Sequence, residues 1–366
     1  MLGCAATGPQ AGQRIAGERM TITNDIRTKV VNAFTGFIGN AEAVHALKRE
    51  LACALSSDPP QLDKVFLLVG SRSTGKTDLS RRITQCLGVP FVSIDGVGIR
   101  NREELFDMID ELLESRGLYP KRIEDQAGLP TYEYPPFAVL IDECHLIPPR
   151  ARESLLTALE SDDRSLVLNK REPRRRAIVR GSTFIFATTR PTELDDPFRS
   201  RCAEINLRRY TKDEMVSILR VKCPYVPSKL LEDLATTSRL IPRVAIAMAD
   251  EWRKEKLYGD LNDQDAFVSV AKSRSIVGRN GLTQNDVRLL KLLDRERKPV
   301  SEAGIIAGLS DLDRAVVRDD IEQYLIMINF VRVTEKGREL TQTGKRWLDD
   351  HKREESEAGQ MKLEVR

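Results

Sequence analysis

Nowhere in the 366 residues does an apolar run approach the length of about 20 that a membrane span requires, so the chain is expected to stay out of the bilayer. Cysteine is sparse and scattered. The six (Cys4, Cys53, Cys86, Cys144, Cys202 and Cys223) include no C-x-x-C pair, which argues against a zinc site and a disulfide framework and suits a reducing, cytoplasmic compartment. Neither a basic segment nor an apolar stretch precedes Cys4, so Met1-Leu-Gly-Cys4 does not read as an export signal. Excess charge of one sign is missing too. The net value is only +3, so an argument for nucleic acid has to rest on where the charges lie. There is no internal repeat, and a length of this order implies about two to three domains, each able to bury its own core.

What is present is a phosphate loop. Lys64-Val-Phe-Leu-Leu-Val69 reads as a buried strand and runs into Gly70-Ser71-Arg72-Ser73-Thr74-Gly75-Lys76-Thr77, a G-x-x-x-x-G-K-T pattern. Its glycines let backbone N–H groups curl around a polyphosphate, Lys76 reaches the β and γ phosphates, and the Thr77 hydroxyl can ligate Mg²⁺. The helix expected from Asp78 to Leu87 places Leu79, Ile83 and Leu87 on one face and turns its positive end to the phosphates. A nucleotide polyphosphate with Mg²⁺ is the expected ligand.

Three further apolar runs, Pro90–Ile94, Phe137–Ile141 and Thr183–Ala187, alternate with helical segments, the pattern of a parallel sheet covered on both faces. Residues 1–28, with little periodicity, are expected to lack fixed structure, and Met20 is a second candidate start. An α/β domain is expected over 29–208, a small all-helical lid over 209–278, a further unit over 279–351 and a charged tail over 352–366. Between Ile94 and Phe137 lie a charged helix, Arg102 to Arg116, and a Tyr- and Pro-containing stretch to which the sequence assigns no role.

Phe137-Ala-Val-Leu-Ile141-Asp142-Glu143 sets two carboxylates at the carboxyl end of a strand, where ligands sit in open α/β sheets. Asp142 is the candidate metal ligand and Glu143 the candidate base for the attacking water. Thr188-Thr189-Arg190 arrives at a neighbouring strand end, where either threonine hydroxyl can orient that water, Thr189 being the candidate. Asp195-Asp-Pro-Phe-Arg199-Ser-Arg201-Cys202 carries two candidate arginine fingers, Arg201 preferred and Arg199 as alternate, against the reading of plain surface charge. Ile241-Pro242-Arg243 starts a lid helix from which Arg243 can reach bound nucleotide.

The end of the chain is read on its own terms as a winged helix. Helical patterns cover Leu282–Arg295 and Ser301–Leu309, a third is capped from Ser310 and runs to Tyr324, and Phe330–Val333, a basic turn and Glu339–Thr341 make strand, wing and strand before a closing helix from Thr343 to His351. Arg332, Lys336 and Arg338 are the candidate DNA-phosphate contacts, with protein packing as the other use of such a unit.

G-x-x-x-x-G-K-T, L-I-D-E, A-T-T-R, R-S-R-C and P-R occur here in the order of the AAA+ ATPases, and the chain most specifically resembles the RuvB family of Holliday-junction branch-migration motors over residues 33–350. The resemblance extends to Phe34-Thr-Gly-Phe37-Ile38-Gly39, which places Phe37 and Ile38 beside the nucleotide. It implies an α/β lobe with a helical lid and a winged helix, sites completed between subunits of a ring (a hexamer in the family), DNA as partner, and ATP-driven translocation. Two features depart from the family. The loop carries Ser71-Arg72-Ser73 in place of prolines and a glycine, and Leu166 to Arg180, which stands where the family offers apolar side chains to RuvA, has a basic tip from Lys170 to Arg176. Holliday junctions and a RuvA partner follow less directly than ATP hydrolysis does. Besides the motor, an ATP-controlled loader or switch like a clamp loader or transposition regulator stays open, as does a nucleotide-binding scaffold.

Overall fold

Phe66–Val69 (β1) divides its side chains between two cores: Leu67 and Val69 enter one apolar cluster, Phe66 and Leu68 the other, and all four are buried. Ala138–Asp142 (β5) and Thr183–Thr188 (β8) do the same, with Val139, Ile141, Phe184 and Phe186 on one face and Leu140, Ile185 and Ala187 on the other. A continuous apolar run is what a strand covered on both sides requires. With Phe91–Asp95 (β2) and Ala203–Asn206 (β9) these strands form a five-stranded, all-parallel sheet in the order β2-β5-β8-β1-β9. Helices α1 (Asn24–Ala33), α2 (Ala41–Ala54) and α3 (Lys76–Leu87) cover one face through Val30, Leu47, Leu51, Leu79 and Ile83. The other is covered by α4 (Arg102–Glu114), α5 (Pro149–Leu159) and α6 (Asp196–Arg201), through Phe106, Ile109, Leu155, Leu156 and Phe198.

The computed structural model describes residues 23–56, 65–123, 130–159, 164–168, 175–278, 280–296 and 298–364. Lys64, most of the N-terminal stretch and the basic tip at 169–174 lie outside them. The chain divides into two compact units between Arg208 and Arg209. The five cysteines described, all but Cys4, are free thiols, and among the described residues no helix is long and apolar enough to cross a membrane.

Three expectations are corrected. First, α1 begins at Asn24, inside the 1–28 segment expected to lack structure, because the Thr23 hydroxyl caps it by accepting from Ile26 N–H and Val30 is buried. Second, the stretch after α4 is not a plain connection. Lys121–Ile123 (β3) and Thr131–Glu133 (β4) join Ser165–Leu168 (β6) and Arg175–Ile178 (β7) in a four-stranded sheet ordered β3-β4-β7-β6, with β4 parallel to β7. The hairpin β6–β7 is thus widened by two strands from a region more than thirty residues earlier, a pairing no local pattern encodes. Third, the closing helix does not stop at His351 but runs from Gln342 to Glu364, so most of the charged tail is helical; its Glu, Lys and Ala are good helix formers.

The second unit holds two cores. Around one pack α7 (Lys212–Lys222), α8 (Ser228–Thr237), α9 (Pro242–Gly259) and α10 (Asp263–Ser273), with Met215, Leu219, Leu234, Met248 and Trp252 inside. The other lies within a winged helix: α11 (Gln284–Glu296), α12 (Glu302–Gly308), a third helix, and the hairpin β10 (Val331–Thr334) and β11 (Gly337–Leu340). The third helix is wound as a π-helix over Val316–Glu322 before its regular last turn, Gln323–Met327. Val300 pairs with Arg338 beside the wing, and a Cβ at Gly337, whose φ is +132°, would lie 2.3 Å from the Val300 carbonyl oxygen, so only glycine fits there.

Candidate nucleotide-hydrolysis site

Strand order brings the site together. β5, β8 and β1 are neighbours and parallel, so Asp142 and Glu143, then Thr188 and Thr189, then the loop from Gly70 emerge side by side at their carboxyl ends. The loop closes on itself. Gly75 adopts φ +99° as it caps α3, Thr74 donates its hydroxyl to the Ser71 carbonyl at 2.9 Å, and the buried Lys76 donates to the Gly70 and Ser71 carbonyls at 2.7 and 3.1 Å. Gly70 is obligatory, since a Cβ would lie 2.7 Å from Thr74 Oγ1 and 2.8 Å from the Leu207 carbonyl. Burial lowers the Lys76 pKa below the usual lysine range, against the pull of Asp142 and Glu143, which favour the ammonium. The lysine is therefore desolvated and faces two carboxylates, the setting in which a polyphosphate with Mg²⁺ gains most from it.

Glu143 sits at the bend after β5 with φ +47°. Its backbone N–H donates to Asp142 Oδ1 at 3.0 Å, and its Oε2 accepts from Thr189 twice, from the hydroxyl at 2.8 Å and from the N–H at 3.2 Å. The candidate base and the candidate water-orienting threonine thus form one hydrogen-bonded unit. Gly96, just past β2, packs on this bend, where a Cβ would meet the Glu143 carbonyl oxygen at 2.6 Å and that of Asp142 at 3.0 Å. Gly96→Ala is expected to displace the Glu143 backbone and slow hydrolysis by about 100-fold, the cost of roughly an ångström of misplacement; steady-state phosphate release checks it, and a rate within threefold of the parent refutes it.

Of the two finger candidates, Arg199 is bound by Glu204, with bonds of 3.0, 3.1 and 2.8 Å to its two oxygens. Arg201 is half-buried on the last turn of the same helix, α6. Phe37 and Ile38 lie in the half-buried turn between α1 and α2, which Arg82 ties to α3: its guanidinium lies 5.5 Å from the Phe37 ring centre and donates to the Ala33 and Thr35 carbonyls and to Asp78. In the second unit, Arg243 is exposed on the first turn of α9, after Pro242. The preceding Arg239 and Leu240 both hold φ +58°. Arg239 stacks on Tyr324 and bonds to the Gly281 carbonyl and to the fully buried Asp286, joining the start of α9 to the winged helix.

Arg82 and Arg152 are not candidates in the sequence, and His145 enters there only within Asp142-Glu-Cys-His145-Leu, without a role. An isolated Arg or His carries no local signal, and only the fold shows what these reach. Arg152 is buried, donating to the His145 and Ile147 carbonyls at 3.1 and 2.9 Å and to Asp195 Oδ1 at 3.0 Å; Asp195 in turn caps α6 through Phe198 N–H. It ties the bend after β5 to the helix that carries Arg199 and Arg201.

On the wing, Lys336 is exposed and Arg332 is exposed with one bond to Glu339. Arg338 is spent on Glu322, at 2.7 Å, and faces Glu302, so it anchors the wing. From Asp311 to Glu322 the third-helix region holds five acidic residues against two arginines, an unfavourable face for a phosphate backbone.

Two family models match in order along the chain: the ATPase family associated with various cellular activities (AAA) over residues 66–210, and the RuvB C-terminal winged helix domain over 279–349. This chain is a RuvB-type AAA+ ATPase. Among similar proteins are the Holliday junction branch migration complex subunits RuvB of Ehrlichia canis, 27% identical over 87% of this chain and 92% of its own length, and of Mycoplasma pneumoniae, 24% identical over 88% and 98%. Among solved structures, the Thermotoga maritima RuvB Holliday junction branch migration motor aligns over 86% of this chain and 95% of its own with TM-score 0.65 and 22% identity, a likeness of fold. The RuvB-type chain thus carries its phosphate loop, its acid pair and its winged helix in one polypeptide, with ATPase activity as the shared chemistry.

Proposed function

We propose that this protein is an ATP-driven DNA translocase that assembles as a ring, hexameric as the resemblance implies, works in the cytoplasm, and moves branched DNA in the manner of branch-migration motors. The observation that carries this is the Glu143–Thr189 unit beside the phosphate loop, in a chain that also bears a RuvB winged helix. Lys76 and the loop N–H groups bind the polyphosphate, Glu143 takes the proton of the attacking water, and Thr189 fixes both. Thr77 and Asp142 are hard oxygen donors suited to Mg²⁺, which when bound neutralises charge on the phosphates. Arg201 is the preferred finger for a neighbouring subunit's nucleotide, with Arg199, bonded to Glu204, as the alternate. Arg243 reads the nucleotide state from the lid, and Phe37 and Ile38 border the nucleotide through the Arg82 tie.

On the wing, Lys336 and Arg332 are the DNA contacts. Replacing both by alanine is expected to weaken DNA binding about 10-fold at moderate salt and to reduce the salt slope by about 2, with DNA-independent ATPase unchanged. Fluorescence anisotropy with duplex, forked and four-way DNA at two salt concentrations checks it. If wild-type ATPase is unmoved by all three DNAs and four-way junctions stay unresolved, the motor reading fails.

A second reading, an ATP-controlled loader or switch on DNA with a partner other than RuvA, is favoured by the widening of the β6–β7 hairpin into a four-stranded sheet with β3 and β4. That is a different surface from a lone hairpin.

A further inference from the structure

Three residues past Asp142, the chain turns His145 back against the strand ends, where its side chain is 4% exposed. Its Nδ1 lies 3.0 Å from Thr188 Oγ1 and 3.3 Å from Glu143 Oε2, and its Nε2 lies 3.9 Å from Glu193. The ring is fixed from both sides. Its own carbonyl accepts from Arg152 at 3.1 Å, and Thr188, wholly buried, accepts the Arg190 N–H at 3.0 Å. Glu143 Oε2 therefore meets three groups at once: Thr189 N–H, Thr189 O–H and the imidazole nitrogen. Glu143 Oε1 has no hydrogen-bond partner among the described residues, on a side chain 25% exposed. One carboxylate oxygen is held and the other is left to work.

We propose that His145 is a positioning residue for ATP hydrolysis: its Nδ1, anchored on Thr188 Oγ1 and shared with Glu143 Oε2 at 3.3 Å, backs that oxygen against Thr189, so that Oε1 is presented to the attacking water. This rests on the reading of Glu143 as the base. A carboxylate held at one oxygen keeps its orientation, whereas a free one rotates about its last side-chain bond and spends part of its time turned from the water. Thr188 meets the phosphate loop only through its backbone carbonyl, which accepts the Gly70 N–H at 3.2 Å, so changes to these side chains leave nucleotide binding in place.

The test measures steady-state ATPase and fluorescent-nucleotide affinity of the full-length protein with and without DNA, alongside thermal melting. His145→Ala is expected to lower kcat about 10-fold, well short of losing the base itself, while KM and nucleotide affinity stay within about twofold. His145→Asn, whose side-chain amide can stand where Nδ1 stands, is expected to recover most of the loss. Thr188→Val, which keeps the buried shape and removes the hydroxyl that anchors Nδ1, lets the ring turn and is expected to cost about threefold and to add little on top of His145→Ala, since both act through one ring. If the alanine variant fails to fold, the asparagine and valine variants carry the test.

The proposal is overturned if kcat of His145→Ala stays within twofold of the parent, if the asparagine variant is as slow as the alanine one, or if the loss tracks a lower melting temperature and weaker nucleotide binding. Glu143→Gln run in parallel separates the two ideas. An active Glu143→Gln sinks the base assignment, whereas an inactive one beside a fully active His145→Ala sinks only the positioning role.

Discussion

Replacing Arg152 with alanine is expected to destabilise the first unit by about 2–4 kcal/mol, the combined cost of buried carbonyls left without a donor and of the void left by the side chain. The guanidinium is 2% exposed, donates to the His145 and Ile147 carbonyls and to Asp195, and lies 5.6 Å from the Phe198 ring centre. Its loss leaves buried carbonyls without donors and a side-chain-sized void, and both cost. Lysine is not a substitute, because a single ammonium cannot span acceptors that the planar guanidinium reaches in two directions. Urea unfolding followed by circular dichroism checks the magnitude; a loss under 1 kcal/mol would show that the network is not structural.

The same link has a pH signature. Burial tends to raise the Asp195 carboxyl, but its bonds with Arg152 and with the backbone at Asp195 and Phe198 outweigh this and hold it below the ordinary aspartate range. A carboxyl depressed in the folded state contributes stability above its unfolded pKa of about 3.9 and loses it as pH falls through the lower folded value. The difference in melting temperature between the parent and Asp195→Asn is therefore expected at neutral pH and to vanish in the acid range below about 4.

Glu143→Gln is expected to reduce hydrolysis by about 10²–10⁴-fold, the worth of a positioned general base, with ATP affinity unchanged within about twofold. The amide oxygen can still accept from Thr189, so the bend after β5 keeps its geometry and only the proton acceptor is lost. Phosphate release and nucleotide titration separate the two quantities. Hydrolysis within 10-fold of the parent would mean another group takes the proton. The variant is also expected to bind DNA in the presence of ATP without moving a four-way junction, since binding and translocation part company when turnover stops.

Much of this was legible before any coordinates, and unevenly so. Gly70 to Thr77 is a local device, its glycines and lysine acting within eight successive residues, so its spacing alone announces it. The strands at Phe66, Ala138 and Thr183 were equally plain, because burial on both faces leaves an unbroken apolar run. The N-terminal helix was missed at Asn24 because its cap is a single threonine and its buried face a single valine. Strands β3 and β4 are three residues each and join the sheet only because β4 pairs with β7, more than forty residues later, which no window of sequence spans. Arg338 looked like its neighbours Arg332 and Lys336 on a basic wing; only the packing showed it paired with Glu322.

The sequence by itself determined that this chain binds a nucleoside polyphosphate, that a parallel sheet presents the loop, and that an acid pair and a winged helix accompany it. These depend on residues close together in the chain, whose periodicity and spacing reflect burial and phosphate geometry directly. Tertiary structure decided which strand ends lie side by side, that Glu143 is bonded by Thr189 with His145 beside it, and that one buried arginine ties the bend after β5 to the helix carrying Arg199 and Arg201. The decisive contacts, Glu143 with Thr189 and Arg152 with Asp195, join residues more than forty positions apart, and their free energy comes from desolvation and hydrogen bonding that exist only once the sheet has set its order.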